Sequence, residues 1–210
     1  KLSPENYSYS DLVNIVGKSF WIRASEGSSG LGSMYINDEN SLAEWISINP
    51  KVNEFLASEY LPGRNMACKL LYFNGKLIRS ASAERVEYIM AKVAPSGITG
   101  NSSFGRLLNE PKLVEISQNA LEKISSEVKS APNGIFTVDF KEDINGVPKI
   151  TEINVRHVAF TSSIAAGGAN LPLDTLKGMF FENPDEMKLI HYKFPENMIF
   201  LRDVDSYPIV

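Results

Sequence analysis

The feature that most constrains this chain is a pair of strand-like runs, Ile135–Glu142 and Val147–Val155, that meet at Asn145-Gly146. Asn-Gly between two such runs is the strongest short-range hairpin signal, because both central turn positions favour positive φ. With those two residues as the turn, Asp139 opposes Glu152, Thr137 opposes Asn154 and Ile135 opposes Arg156. On the other side Phe136 opposes Val155, Val138 opposes Ile153 and Phe140 opposes Thr151, while Glu142 meets Lys149 as a cross-strand ion pair. One face is apolar and packs inward. The other presents Asp139, Glu152, Asn154 and Arg156 together. Directly opposed residues have Cβ atoms about 4.5–5.5 Å apart, where like charges repel. A cation relieves that repulsion, and an oxygen donor set of Asp, Glu and Asn suits Mg²⁺, or Mn²⁺ in its place. Arg156 fits a phosphate or carboxylate. The same pattern also fits an ordinary solvated hairpin with a polar outer face.

The rest of the chain supports a substantial core around this hairpin. Of 210 residues, 43% are hydrophobic and 22% charged, which excludes a disordered tail, a collagen-like chain and a disulfide-stapled miniprotein. The 25 acidic residues outnumber the 21 basic ones, which argues against a nucleic-acid or anionic-membrane partner. One cysteine, Cys68, cannot form an internal disulfide, so a reducing, cytoplasmic setting is expected. No apolar run reaches the ~20 residues of a membrane helix, and no signal-peptide pattern is present. Helices are expected near Asp11–Val16, from the Ser41/Glu44 capping box to Pro50, over Pro111–Lys129, and near Leu173–Phe181. The helix over Pro111–Lys129 carries Leu113, Ile116, Ala120, Leu121, Ile124 and Val128 at helical spacing. Strands are expected at Ser19–Ala24, Met34–Ile36, Glu54–Tyr60, Lys188–Phe194 and Met198–Leu201. A second hairpin, Asn65–Phe73 with Lys76–Ala83, turns at Asn74-Gly75, and Ala94–Asn109 reads as a loop. Strands mixed irregularly with a few helices give an α+β class rather than a doubly wound array.

Arg23 closes the first strand, directly before the loop Ser25-Glu26-Gly27-Ser28-Ser29-Gly30-Leu31-Gly32-Ser33. Small residues let backbone N–H groups approach phosphate oxygens, and an arginine adds a permanent charge. Neither a Walker A sequence nor a GxGxxG in a βαβ setting is present. A surface turn rich in Gly and Ser has the same composition.

Taken in order, these elements resemble the ATP-grasp enzymes, most of all the large chain of carbamoyl-phosphate synthase and related carboxylate–amine ligases. Phe20-Trp21-Ile22-Arg23-Ala24-Ser25 with its glycine/serine loop resembles the phosphate-binding lid strand. Ser58-Glu59-Tyr60-Leu61-Pro62-Gly63 resembles the hinge that reads the adenine edge. Val138-Asp139-Phe140 with Thr151-Glu152-Ile153-Asn154-Val155-Arg156 resembles the metal-binding strands. The resemblance covers residues 18 to about 172 and implies two α+β lobes gripping ATP: a small lobe, 1–56, and a larger one, 57–210. It implies that Arg23, Ser25, Ser28, Ser29 and Gly30 meet the phosphates, and that Glu59, Tyr60 and Leu61 meet the adenine. Asn65 stands where the family carries a ribose-binding glutamate. Asp139, Glu152 and Asn154 would hold Mg²⁺, and Arg156 the acceptor carboxylate or the transferred phosphoryl group. Lys69 stands where relatives carry an acid. The family's upstream α/β domain is not within this sequence. The implied activity is ATP-dependent activation of a carboxylate for attack by an amine or other nucleophile, with small molecules as partners. A non-catalytic or regulatory nucleotide-binding module is the alternative, and a homo-oligomer is compatible with either.

Other polar residues carry two readings each. Arg85 either points into a cleft or lies on the surface. His157 is either a base or structural, and Thr161, Ser162 and Ser163 either bind a carboxylate or shape a turn. His191 has no polar partner nearby in sequence, and Cys68 reads as a small buried hydrophobe.

Overall fold

The computed structural model describes residues 1–26, 32–89, 91–93, 101–181, 183–203 and 207–210. The chain divides into two compact units, Lys1–Pro62 with Tyr88–Gly100, and Gly63–Glu87 with Asn101–Val210.

The first unit packs two helices on a small sheet. Helix α1 (Tyr9–Val16) starts at Ser8, whose hydroxyl accepts the Asp11 N–H. Strands β1 (Phe20–Ala24), β2 (Met34–Ile36) and β3 (Phe55–Glu59) form an antiparallel three-stranded sheet in the order β2-β1-β3. Strict alternation buries Phe20, Ile22, Ile36 and Phe55 against Leu42 and Trp45 of α2 (Glu39–Ile48). The cap of α2 is Asp38, not Ser41: the Asp38 carboxylate accepts the Ser41 N–H at 2.8 Å and adds negative charge at the helix start.

The second unit holds a seven-stranded sheet ordered β10-β6-β5-β4-β7-β8, with β9 paired to β5. Its strands are β4 (Asn65–Phe73), β5 (Lys76–Tyr88), β6 (Ser102–Leu108), β7 (Gly134–Glu142), β8 (Pro148–Asn154), β9 (Ile190–His191) and β10 (Ile199–Leu201). Antiparallel pairing dominates, and β5–β9 is a short parallel pair. Helix α3 (Pro111–Val128) covers one face, packing Leu113 and Leu121 on Met66, Cys68, Leu70, Val138 and Phe140. Its last turns do not bury their apolar residues, since Ile124 and Val128 are exposed. Helices α4 (Thr161–Ala166) and α5 (Leu171–Phe180) lie on the other face, where Phe160, Ile164 and Leu171 join Ala67, Leu71 and Ala83. Gly178 of α5 packs so closely that a Cβ there would lie 2.3 Å from the Phe73 ring.

Three of the expected strand boundaries change. Strand β6 occupies what reads as loop, because its pattern is interrupted by Gly105, which Phe200 and the Glu84 backbone approach too closely for any side chain. Strand β5 runs on past Ala83 to Tyr88, carrying Arg85 into the ladder opposite Asn65. The expected strand Lys188–Phe194 shrinks to Ile190–His191, where His191 Nδ1 lies 2.7 Å from Ser80 Oγ.

Candidate active site

The carboxylate hairpin keeps the Asp139–Glu152 and Thr137–Asn154 pairs, by a route the turn residues alone do not show. The turn is not Asn145-Gly146 alone. Asp143 and Val147 close a loop of Ile144, Asn145 and Gly146, with Gly146 at φ 76° and the Asp143 carboxylate accepting the N–H groups of Asn145 and Val147, both at 2.9 Å. Near the turn the pairing is therefore one residue off: Phe140 meets Ile150, Lys141 meets Lys149 and Glu142 meets Pro148. The expected Phe140–Thr151 pair and Glu142–Lys149 ion pair are absent; Lys149 reaches Asp143 at 3.4 Å and Glu142 binds Arg64. A bulge at Thr151 restores the register, and the Thr151 hydroxyl donates to the Asp139 carbonyl at 3.2 Å. Asn154 is the last residue of β8, so Arg156 lies beyond the ladder.

Register and alternation put Asn65, Ala67 and Lys69 of β4, Ala83 and Arg85 of β5, Thr137 and Asp139 of β7, and Glu152 and Asn154 of β8 on one face. Asp139 Oδ2 accepts Asn154 Nδ2 at 3.3 Å, and Asp139 Oδ1 accepts Arg85 Nη2 at 2.6 Å. Glu152 is exposed and has no ion pair among the described residues. Arg156 is exposed, with Nη1 donating to the His157 carbonyl at 3.0 Å. His157 Nδ1 is buried without a partner among the described residues, and burial together with the charge of Lys69 pushes this imidazole down. Among the described residues no group of three or more His, Cys, Asp and Glu converges to hold a metal ion.

Lys69 and Arg85 are the groups whose importance the sequence understates. Lys69 is fully buried; its Nζ donates to Thr161 Oγ1 at 2.8 Å, lies 3.5 Å from Thr137 Oγ1 and sits 4.9 Å from the centre of the Phe160 ring. Burial, reinforced by the charge of Arg85, pushes the ammonium down to about 7, against the pull of Asp139. Arg85 lies over the same ring at 4.8 Å. Thr161 thus anchors Lys69 rather than merely shaping a turn. A usable signal exists in retrospect: period two from Asn65 and from Arg79 places Lys69 and Arg85 on the Asp139 face.

Gly63 and Arg64, at the start of the second unit, are tied to Glu142 of β7. Gly63 N–H donates to the Glu142 carbonyl and Glu142 N–H to the Arg64 carbonyl, both at 3.0 Å. Arg64 also reaches Glu142 at 2.7 Å and Glu110 at 2.6 Å, and its guanidinium holds the Glu142 carboxyl below the usual range. In the first unit, Arg23 is exposed on the open face of β1 with no ion pair among the described residues. Ser25 N–H donates to the Glu54 carbonyl at 2.9 Å, Glu59 ends β3, and Tyr60 packs on Tyr35 with ring centres 4.5 Å apart, next to Leu61. The loop's far end is pinned, since the Gly32 carbonyl accepts both Ala24 N–H and Trp45 Nε1–H at 3.2 Å. Ser28, Ser29 and Gly30 lie outside the described residues.

No family model and no curated protein sequence matches the chain. Solved structures do. N5-carboxyaminoimidazole synthetase from Staphylococcus aureus, complexed with ADP, is 17% identical with a TM-score of 0.57, over 91% of this chain and 47% of that one. The biotin carboxylase domain of 2-oxoglutarate carboxylase from Hydrogenobacter thermophilus, in complex with MgADP, ADP and bicarbonate, is 16% identical with a TM-score of 0.61, over 91% of this chain and 43% of that one. D-alanine–D-alanine ligase from Bacillus anthracis is 17% identical with a TM-score of 0.55, over 83% and 58%. The chain spans about half the length of these structures. Among the described residues no helix is long and apolar enough to cross a membrane. Over most of its length, this chain has the α+β fold of the ATP-grasp enzymes.

Proposed function

We propose that this chain is an ATP- and Mg²⁺-dependent ligase domain that activates a carboxylate as an acyl phosphate, in the manner of carbamoyl-phosphate synthase and related carboxylate–amine ligases. The observation that carries the reading is the Asp139–Glu152 pair, held in register by the Thr151 bulge with Asn154 on the same face. Two carboxylates and an amide are hard oxygen donors, which fits Mg²⁺. When bound there, Mg²⁺ would supply charge neutralisation to the phosphates. Arg23, Ser25, Ser28, Ser29 and Gly30 bind phosphate oxygens, Glu59, Tyr60 and Leu61 bind the adenine, and Asn65 hydrogen-bonds the ribose. Arg156 orients the acceptor carboxylate. Its oxygen attacks the γ-phosphorus and ADP leaves; an amine then attacks the acyl carbon and phosphate leaves. Positioning and charge, rather than a protein nucleophile, carry such transfers.

The test is ADP release across candidate carboxylates with Glu152→Gln and Asp139→Asn. Loss of turnover with melting temperatures near wild type is the expected result; near-normal turnover in both variants refutes the metal assignment. A second reading, a nucleotide-binding module without catalysis, is favoured by Arg85 holding Asp139 and by Asn65 in place of a glutamate. Calorimetry with ATP separates the two, since binding without turnover selects the module. Ligand at about 100 times its dissociation constant stabilises by ~2.7 kcal/mol, and no melting shift at all defeats both.

A further inference from the structure

Arg85 is seated rather than swinging at the surface. Its side chain is 10% exposed, with Nη2 on Asp139 Oδ1 at 2.6 Å. Nη1 donates to Asn65 Oδ1 at 3.0 Å, and Phe160 stacks 4.8 Å from Cζ. The row beneath it consists of Ala83 of β5 and Ala67 of β4, leading to Asp139 of β7. Those two methyl side chains, both fully buried, leave room above β4 for a guanidinium to reach from β5 across to β7. Asp139 has its second oxygen on Asn154. Both oxygens are therefore engaged within the protein, while Glu152 opposite is not. Lys69 places a second cationic group on the same Phe160 ring. A divalent ion taking an oxygen of Asp139 must compete with the guanidinium bound there, and like charges at such range repel strongly.

We propose that Arg85 is a built-in competitor for divalent cations at the Asp139–Glu152 hairpin, holding Asp139 until a polyphosphate draws the guanidinium away. This rests on the nucleotide reading for the identity of the anion, but not for the competition itself. A planar guanidinium binds phosphate as well as it binds carboxylate, so one oxyanion replaces another at little net cost. Moving Arg85 off Asp139 frees that carboxylate for the metal. Metal and polyphosphate then assist one another's binding, and by linkage the assistance is mutual.

The test uses the full chain and two separate titrations. Mn²⁺ alone is followed by the electron paramagnetic resonance signal of the free ion, and the non-hydrolysable analogue AMP-PNP is titrated calorimetrically in EDTA. Arg85→Gln and Arg85→Met are each expected to bind Mn²⁺ about tenfold tighter than wild type, a change of ~1.4 kcal/mol. Adding Asp139→Asn to Arg85→Gln is expected to remove that gain. The same substitutions are expected to weaken metal-free AMP-PNP binding, so one side chain moves two affinities in opposite directions. Unchanged or weaker Mn²⁺ binding in both variants overturns the competition. Should both fail to fold, Arg85→Lys, which keeps the charge but loses the planar fork, is expected to bind Mn²⁺ more tightly than wild type, and no change overturns it. Wild type that binds no AMP-PNP refutes the nucleotide reading and, with it, the polyphosphate trigger, while the Mn²⁺ titration still decides whether Arg85 competes.

Discussion

Replacing Lys69 by methionine tests whether a buried ammonium in this face costs stability. Methionine is one heavy atom shorter and puts a flexible, uncharged side chain beside Phe160. Burial lowers the amine from 10.5 to about 7 in the native state. At ~1.36 kcal/mol for each tenfold change, that depression corresponds to about 5 kcal/mol of disfavoured charge. The sign follows from proton counts. Below pH 7 the amine is charged whether the chain is folded or not, and the native state bears the whole cost. Between about 7 and 10.5 the unfolded chain binds more protons, so wild-type stability rises with pH. Against this, methionine forfeits the hydrogen bonds to Thr161 and Thr137, about 1–3 kcal/mol for bonds to a charged group. The variant is therefore expected to be more stable than wild type at pH 6.5 by roughly 2–4 kcal/mol. That advantage shrinks by about 3 kcal/mol at pH 9.5. Urea unfolding of both proteins at the two pH values measures it. A stability difference that does not change with pH would refute the claim that Lys69 titrates in the neutral range.

Two further substitutions probe what positions the site. Glu142→Gln weakens the clamp of Arg64 and is expected to lower stability by about 1–2 kcal/mol at pH 7. Because the Glu142 carboxyl is depressed, that contribution is present above its ordinary value of 4.5 and is lost as pH falls through the folded one, so wild type and variant converge in acid unfolding. Gly178→Ala drives a methyl group into the Phe73 ring, which is itself buried; thermal unfolding is expected to show a loss of about 1–3 kcal/mol, with little change if α5 can shift freely.

How much of the site could be read from the chain varies residue by residue. Alternation in β7 and β8 is enough to put Val138, Phe140 and Ile153 beneath α3 and Asp139 and Glu152 on the opposite face. The apolar stripe of α3 gives the helix its limits but not its burial, since Ile124 and Val128 carry the stripe on and stay exposed. Arg85 looks ambiguous in sequence because whether β5 ends at Ala83 depends on a neighbour, Asn65, twenty positions away. The opposition of Asp139 and Glu152 survives a turn of different length only because Thr151 bulges, and nothing local announces that bulge.

Sequence alone settled the periodicities, and with them the α+β class and the polar sides of β7 and β8. These depend on residues two to four positions apart, where backbone geometry leaves few choices. Only the tertiary structure decided what the acidic pair faces. The guanidinium of Arg85, the ammonium of Lys69 and the ring of Phe160 come from separate segments. Their strength depends on burial, and burial is a property of the packed sheet rather than of any stretch of chain.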